Sequence, residues 1–330
     1  MRYLGSKTLL VNQIERLVFQ CCEKGVFFDP FGGIGTVGSH MKKAGFRVIS
    51  SDLLLFAHYF QKSKIECNYL PDFGNLMPKM REPEKMETYM NSQIQKDGWL
   101  VEEYAVKRKY FTLENAYAIQ GCIDQIWEWR AQESINETEY AILIASLIQA
   151  MDCVANTAGT YYAYLKEFYR KAKNKFMFRL MSPIYGDKDC ICRHGDANEL
   201  IKEFSCDVLY LDPPYNERDY GSYYHLPETI ANGKVPKPKG KSGVFSDGRT
   251  RSLYTIKSQA EAAFCDLVHN SKSKYILFHY TDEGLIPIEG ARNILQNIGR
   301  TEEYYFNCKG YHTTTDDRKS KHHIFKVDRT

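Results

Sequence analysis

The stretch "DVLYLDPPYNERDY" (207–220) places a carboxylate, two prolines and an aromatic ring directly after an apolar run. The run Val208–Leu211 is typical of a short buried strand. Pro213 and Pro214 end it, because proline cannot donate to a sheet ladder. One interpretation is an ordinary strand-ending turn. The other is a rigid carboxylate, Asp212, and a ring, Tyr215, at the carboxyl edge of a sheet, where open α/β folds place their sites.

A second group of candidate residues follows an earlier strand, in "GVFFDPFGGIGTVGSHMKKAGFRVISSDLL" (25–54). The pattern predicts a strand, a glycine loop, a helix over 36–43 and a second strand that ends near Asp52. Gly33, Gly35 and Gly38 satisfy the G-x-G-x-x-G spacing, with Asp52 about 20 residues beyond the first glycine. This spacing indicates a nucleoside-containing cofactor.

The loop leaves two cofactor classes open. A nicotinamide dinucleotide fits the glycine spacing, but Asp29 at the strand end would repel its pyrophosphate. A carboxylate at that position favours a cofactor with a cationic end, such as the ammonium of a methionine moiety. Asp52 suits either class, because both carry ribose hydroxyls that can donate to it.

These elements predict an α/β fold with a mixed, mostly parallel sheet and a helical insertion. We expect a first catalytic segment at 1–58, an insertion at 59–179 and a second catalytic segment at 180–330. The polar, proline-interrupted stretch 75–90 is typical of a linker at the entrance of the insertion. Within the insertion, Thr112 is a candidate N-cap and 141–154 a candidate buried helix. Further strands are expected at 206–212 and 274–281, and 302–308 with 322–327 could form an antiparallel hairpin.

Composition narrows the function classes. The 330 residues carry a net charge of +3, which permits an acidic partner without requiring one. No apolar segment follows "MRYLGSK", so we expect neither a secretory signal nor a membrane anchor, and a cytoplasmic location. The ten cysteines form no repeated Cys-x-x-Cys pair. Reduced thiols and no metal site are therefore expected.

In combination, these motifs resemble S-adenosylmethionine-dependent DNA adenine-N6 methyltransferases of the Dam-like group. The resemblance depends on "RYLGSK" (2–7), Asp-Pro-Phe-x-Gly-x-Gly (29–35) and Asp-Pro-Pro-Tyr (212–215), in that order along the chain. The segment "NERDYGSYYHLPETIA" (216–231) is similar to the corresponding segment of restriction-system modification methylases. The resemblance implies a Rossmann-like methyltransferase fold and double-stranded DNA as substrate. It also raises a cognate restriction endonuclease as a partner, and a place near the nucleoid of a prokaryote or in a virus.

The resemblance assigns the cofactor to residues of the first two motifs and of "HGDANEL" (194–200). These are Tyr3, Lys7, Asp29, Phe31, Gly33, Gly35, Asp52 and Asp196. Lys7 would lie near the methionine carboxylate, Asp52 would accept from the ribose hydroxyls and Asp196 would meet the adenine. The residue after Asp196 is Ala197, where family members often have phenylalanine.

The resemblance gives the Asp-Pro-Pro-Tyr residues a catalytic role. An adenine amino group is a poor nucleophile, because its lone pair is delocalised into the ring. Asp212 and the Pro213 carbonyl can accept its two hydrogens and so direct the lone pair at the methyl donor. Pro213 and Pro214 keep both acceptors rigid, and Tyr215 offers a flat face to a base flipped out of the duplex.

DNA contacts are expected from the lysine-rich stretch 232–252, although most charge runs are only solvated loops. The candidate DNA-binding residues are Lys166, Arg218, Lys237, Lys239 and Lys241. Other functions remain open at this point. They are N4-cytosine methylation, methylation of RNA or of protein glutamine, and a catalytically silent DNA-binding module.

Overall fold

The computed structural model describes residues 1, 3–77, 80–244, 251–309 and 319–330, and the side chains of 307–309 and 319–321 are excluded. Arg2 of the "RYLGSK" motif therefore lies outside the described residues, as do Asp247 and Arg249 of the lysine-rich stretch. The chain forms two compact units. Unit 1 comprises 1–6, 54–185 and 220–249, and unit 2 comprises 7–53, 186–219 and 250–330.

Unit 2 contains a seven-stranded sheet within the described residues, in the order β3-β2-β1-β4-β5-β7-β6. The strands are β1 (Val26–Asp29), β2 (Arg47–Asp52), β3 (Ile191–His194), β4 (Ser205–Leu211), β5 (Lys272–Thr281), β6 (Arg300–Lys309) and β7 (Lys319–Asp328). The first five are parallel to one another, whereas β7 is antiparallel to both β5 and β6. The predicted mixed sheet and the predicted hairpin are both confirmed.

Helices of unit 2 pack apolar side chains against the sheet. They are α1 (Val11–Cys21), α2 (Thr36–Lys43), α8 (Ala197–Leu200), α11 (Ala260–Asn270) and α12 (Ile288–Gln296). One core cluster joins Phe264 and Leu267 of α11 and Leu295 of α12 to Phe28 and Phe278 of the sheet. Burial of such side chains stabilises each by roughly 1.5–3 kcal/mol, which holds the strand ends in fixed register.

Unit 1 is mainly helical. Its helices are α3 (Leu55–Gln61), α4 (Pro83–Asn91), α5 (Trp99–Val101), α6 (Leu113–Ala131), α7 (Glu137–Val154), α9 (Tyr220–Tyr223) and α10 (His225–Asn232). Thr112 caps α6 by accepting from the Asn115 N–H, as predicted. The buried helix predicted at 141–154 is the main part of α7, which begins with a capping box at Asn136.

The stretch 75–90, expected to be a linker, includes most of α4, so this prediction is wrong in its second half. Pro83 occupies the first turn, where its missing N–H costs nothing, and the helix buries Met86 and Met90. Residues 220–249 also belong to unit 1 rather than to the sheet unit. The Glu228 carboxylate of α10 accepts from the Leu55 and Phe56 N–H groups at the start of α3, which joins the two segments. In the part of the chain that the structure describes, no helix is long and apolar enough to cross a membrane.

Candidate active site

Three carboxylates of unit 2 lie at the carboxyl ends of parallel strands. Asp29 ends β1, Asp52 ends β2 and Asp212 follows β4 directly. The register pairs Asp29 with Ser50 and Phe28 with Leu209, so the three strands finish along one edge of the sheet. This is the edge at which open α/β folds bind ligands.

Lys7 is the cation that faces Asp212. Its Nζ lies 2.5 Å from Asp212 Oδ2, and the lysine side chain is 7% exposed. Sequence reasoning placed Lys7 at the cofactor and did not anticipate this ion pair. A buried lysine and carboxylate compensate one another, and removal of either leaves an unpaired buried charge.

Burial has the largest effect on the pKa values of Asp29 and Asp212. It raises the pKa of Asp29 well above the ordinary range, and the negative charges of Asp212 and Asp52 add to the increase. Burial also raises the pKa of Asp212, an effect that the neighbouring Lys7 ammonium opposes. Asp29 is 2% exposed, and its Oδ1 accepts from the Phe31 N–H at 3.2 Å.

The glycine loop is fixed by its own backbone and by Asp52. Gly33 and Gly35 have φ angles of 52° and 78°, a conformation that glycine adopts without strain. The Gly33 N–H donates to Asp52 Oδ2 at 2.9 Å. Gly35 is the N-cap of α2. The loop therefore has a fixed backbone beside two carboxylates, with Gly33 and Gly35 both buried.

An aromatic wall links Phe31 to Asp196. The Phe31 ring meets the Tyr254 ring edge-on at a centroid distance of 4.9 Å. The Tyr254 hydroxyl donates to Asn198 Oδ1, and the Asn198 N–H donates to Asp196 Oδ1 at 2.8 Å. Asp196 is the N-cap of α8, so its carboxylate has a fixed orientation. Sequence reasoning missed Tyr254, which comes from a short 3-10 helix 42 residues beyond Asp212 with no motif to mark it.

The Asp-Pro-Pro-Tyr segment is held at its last residue. The Tyr215 carbonyl accepts from the Leu285 N–H at 2.9 Å, and the Tyr215 ring packs partly buried against the core cluster. Pro213 is buried, whereas Pro214 is half-buried. Arg218 is exposed in the following turn.

The remaining predicted site residues belong to unit 1. Tyr3 stacks on Tyr224 at a centroid distance of 5.0 Å and also contacts Phe56 and Tyr220. Lys166, Lys237, Lys239 and Lys241 have exposed side chains. The structure thus collects the predicted cofactor residues other than Tyr3 in one unit and the predicted DNA-binding lysines in the other.

The chain belongs to the D12 class of N6 adenine-specific DNA methyltransferases, whose family profile matches residues 3–294. It is 36% identical over 314 residues to the type II methyltransferase M.FokI of Planomicrobium okeanokoites, covering 92% of this chain and 48% of that protein. It is 33% identical to the modification methylase StsI of Streptococcus sanguinis, covering 90% of this chain and 46% of that protein. The type II methyltransferase M.NlaIII of Neisseria lactamica is 32% identical, with 91% of this chain and 89% of that protein covered. The chain therefore spans about half the length of M.FokI and StsI, and most of the length of M.NlaIII.

The raised pKa of Asp29 gives a stability prediction. Because the folded state holds the Asp29 proton more tightly than the unfolded chain, stability falls as pH rises from the ordinary carboxyl range towards the raised pKa. Asp29→Asn removes this cost, so we expect the melting temperature of the variant to exceed that of the wild type at neutral pH. The difference should shrink as the pH is lowered towards 4, as measured by calorimetric melting at several pH values.

Asp207 is a matched control. It lies near the amino end of β4, away from the carboxyl ends of the strands where Asp29 and Asp212 lie. Its carboxylate accepts from the Lys274 ammonium and the Val26 N–H, and its pKa is lowered. The ionised Asp207 therefore stabilises the folded state at neutral pH, and this stabilisation is lost on acidification. Asp207→Asn should lower the melting temperature at neutral pH. Equal destabilisation by both substitutions would contradict the assignment of Asp29.

Proposed function

We propose that this chain transfers the methyl group of S-adenosylmethionine to the N6 amino group of an adenine flipped out of duplex DNA. The observation that carries the proposal is Asp212, a carboxylate at a strand end, ion-paired to Lys7 and next to the buried Asp29. Membership of the D12 class supports the choice of an adenine amino group.

The residues at the sheet edge fit S-adenosylmethionine in their chemistry. Asp29 would accept from its ammonium, Asp52 from its ribose hydroxyls and Asp196 from its adenine amino group. A carboxylate has several acceptor positions, so Asp52 can serve the Gly33 N–H and a hydroxyl together. The half-buried Phe31 ring, supported edge-on by the buried Tyr254, would offer an aromatic face to the adenine ring. When bound, the cofactor supplies an electrophilic sulfonium methyl group.

The chain's own residues prepare the target amino group. The Asp212 carboxylate and the Pro213 carbonyl accept its two hydrogens, which favours a pyramidal nitrogen with a directed lone pair. Proline fixes the backbone that carries both acceptors, so little reorganisation is needed at the moment of transfer. The Lys7 ammonium opposes the burial that raises the pKa of Asp212, and it therefore favours the ionised carboxylate, which is the stronger acceptor.

A basic surface of unit 1 supports duplex binding. The Arg108 side chain donates to the carbonyls of Gly240 and Lys241 at 3.0 and 3.1 Å. The hydroxyls of Tyr110 and Tyr104 donate to the carbonyls of Ser242 and Gly243, each at 2.8 Å. These four bonds hold the backbone of the lysine-rich loop while its lysine side chains remain exposed.

Asn156 holds the backbone on either side of Lys166 in the same unit. The Asn156 side chain donates to the carbonyls of Lys109 and Leu165 and accepts from the Tyr169 N–H, all within 3.0 Å. A cation on a fixed backbone loses less conformational entropy on binding phosphate than one on a mobile backbone. We propose that Lys166 and the lysine-rich loop contact the DNA backbone, and that Arg218 contributes from unit 2.

Asp212→Ala should reduce turnover roughly a hundredfold or more, because it removes a preorganised acceptor that matters most in the transition state. The affinity for duplex DNA should change much less. Transfer of labelled methyl groups to duplex DNA and equilibrium DNA binding measure the two effects. Asp207→Ala, at the other end of the same strand, should keep wild-type turnover. Parental turnover in Asp212→Ala would refute the proposed role of this carboxylate.

Tyr215 is expected to act through its ring. Tyr215→Phe keeps a flat face for the target base and should retain most of the methylation rate. Tyr215→Ala should lose most of it, and fluorescence of 2-aminopurine at the target position should show less extrahelical base. If Tyr215→Phe is as inactive as Tyr215→Ala, the hydroxyl is the functional group instead.

Replacing Lys237, Lys239 and Lys241 by glutamine together should weaken DNA binding and flatten its dependence on salt. The slope of log K against log salt is negative, and each lost phosphate contact reduces its magnitude by about 0.9. Loss of three contacts would therefore reduce the magnitude by roughly three. The control is the triple glutamine variant of Lys202, Lys272 and Lys274, which lie at or near the amino ends of β4 and β5. An unchanged slope in the loop variant would show that the loop does not contact phosphates.

A further inference from the structure

A buried chain of polar side chains crosses three strands of unit 2. The Tyr210 hydroxyl of β4 and His279 Nδ1 of β5 lie 2.9 Å apart in a hydrogen bond. His279 Nε2 and His322 Nδ1 of β7 are also 2.9 Å apart in a hydrogen bond. Tyr210 and His279 are each 1% exposed. Both ring nitrogens of His279 are therefore engaged, and none of the roles assigned so far uses this residue.

This chain lies beside the Lys7–Asp212 ion pair. Tyr210 and Asp212 are two residues apart, so their side chains point to the same face of the sheet. The register pairs Leu211 with Phe278, and the next residues of the two strands are Asp212 and His279. Burial raises the pKa of Tyr210 well above its usual value, and the negative charges of Asp212 and Asp29 add to the increase.

The imidazole of His279 is neutral in this position. Burial lowers its pKa well below the usual value, and the positive charge of Lys7 lowers it further, followed by His322 and His323. The pKa of His322 is lowered to about 4, again by burial and by Lys7. The register places His279 beside Asp212, the partner of Lys7, and a neutral ring can lie near an ammonium without repelling it.

We infer that His279, held by Tyr210 and His322, is a positioning residue that keeps the Lys7 ammonium against the Asp212 carboxylate. The inference depends on the proposed function, because it assigns to His279 the task of keeping the methyl-transfer acceptor ionised. Without the imidazole, the lysine side chain gains room to move away. Asp212 would then take up a proton at a higher pH and lose acceptor strength.

The groups that face this pair define the pH test. Asp212 is faced by Lys7, which lies before α1, by Asp29 from β1 and by Tyr210 from its own strand. His279 is hydrogen-bonded to Tyr210 and His322, and the charges of Lys7, His322 and His323 act on its pKa. The charge of Asp52 acts on the pKa of Asp29. Among these groups, Lys7 carries a positive charge at neutral pH and lowers the pKa of Asp212. Displacement of Lys7 must therefore raise that pKa.

Two variants test the inference through the pH dependence of turnover. In His279→Leu, the acid limb of the kcat profile should shift to higher pH by about half a unit, which lowers kcat on that limb by up to roughly threefold. Tyr210→Phe keeps its stack on Phe27 and should move the limb in the same direction by a smaller amount. The KM for DNA should stay within about twofold, since no DNA contact is removed.

His323→Gln is the matched control. His323 is a buried histidine of the same strand as His322, but it contacts Asp282 and Glu303 instead. Its substitution should cost stability and leave the acid limb unmoved. A double variant completes the test. Lys7→Met with His279→Leu should have the same acid limb as Lys7→Met alone, because the two act in one pathway.

A direct titration separates this inference from the proposed function. Carbon-13 NMR of labelled aspartate carboxyls, with Asp212 assigned through Asp212→Asn, reports its pKa in the free protein without any turnover. We expect a higher pKa in folded His279→Leu and Tyr210→Phe than in the wild type. Unchanged Asp212 titration in both variants would overturn the positioning role. A wild type that titrates as expected but methylates no DNA would overturn the proposed function alone.

Discussion

The Lys7–Asp212 ion pair is the interaction on which the site depends. Asp29, Asp52 and Asp212 gather at one edge of the sheet, and burial makes the ionised form of Asp29 and Asp212 costly. The ammonium of Lys7 offsets part of this cost at Asp212. Neutral side chains of similar size would cost less free energy to bury than these carboxylates. The buried carboxylates therefore indicate a functional role rather than a contribution to stability.

Strand geometry explains why the charges meet. The parallel register of β1, β2 and β4 brings three segments that are distant in sequence to one line of strand ends. Apolar side chains below that line, such as Phe28 and Leu209, are fully buried and fix the register. A one-residue slip would turn every carboxylate to the other face, so the hydrophobic pattern of the strands also determines the chemistry.

The sequence allowed prediction of the elements with strong local patterns. The unit from β1 to β2, the hairpin of β6 and β7 and the cap at Thr112 follow from periodicity, glycine placement and capping chemistry. The glycine loop and Asp212 were predicted because their spacing is itself the motif. The helix α4 was missed because its charged residues and its proline hide the two methionines that it buries.

The partners of the site residues could not be predicted in the same way. The contact of Lys7 with Asp212 spans 205 residues of chain, and Tyr254 meets Phe31 across more than 200. Such contacts depend on how helices pack on the sheet, for which a single sequence carries no local pattern. Likewise, the joining of 220–249 to the helical unit depends on Glu228, a residue that looks like any surface glutamate on a short helix.

The identity of the methylated nucleoside tests the central claim most directly. Duplex DNA would be incubated with the protein and S-adenosylmethionine carrying a deuterated methyl group, digested to nucleosides and analysed by mass spectrometry. The account predicts label in N6-methyldeoxyadenosine at a subset of adenines. Label in N4-methyldeoxycytidine instead, or an absence of labelled nucleoside despite measured binding of cofactor and DNA, would contradict it.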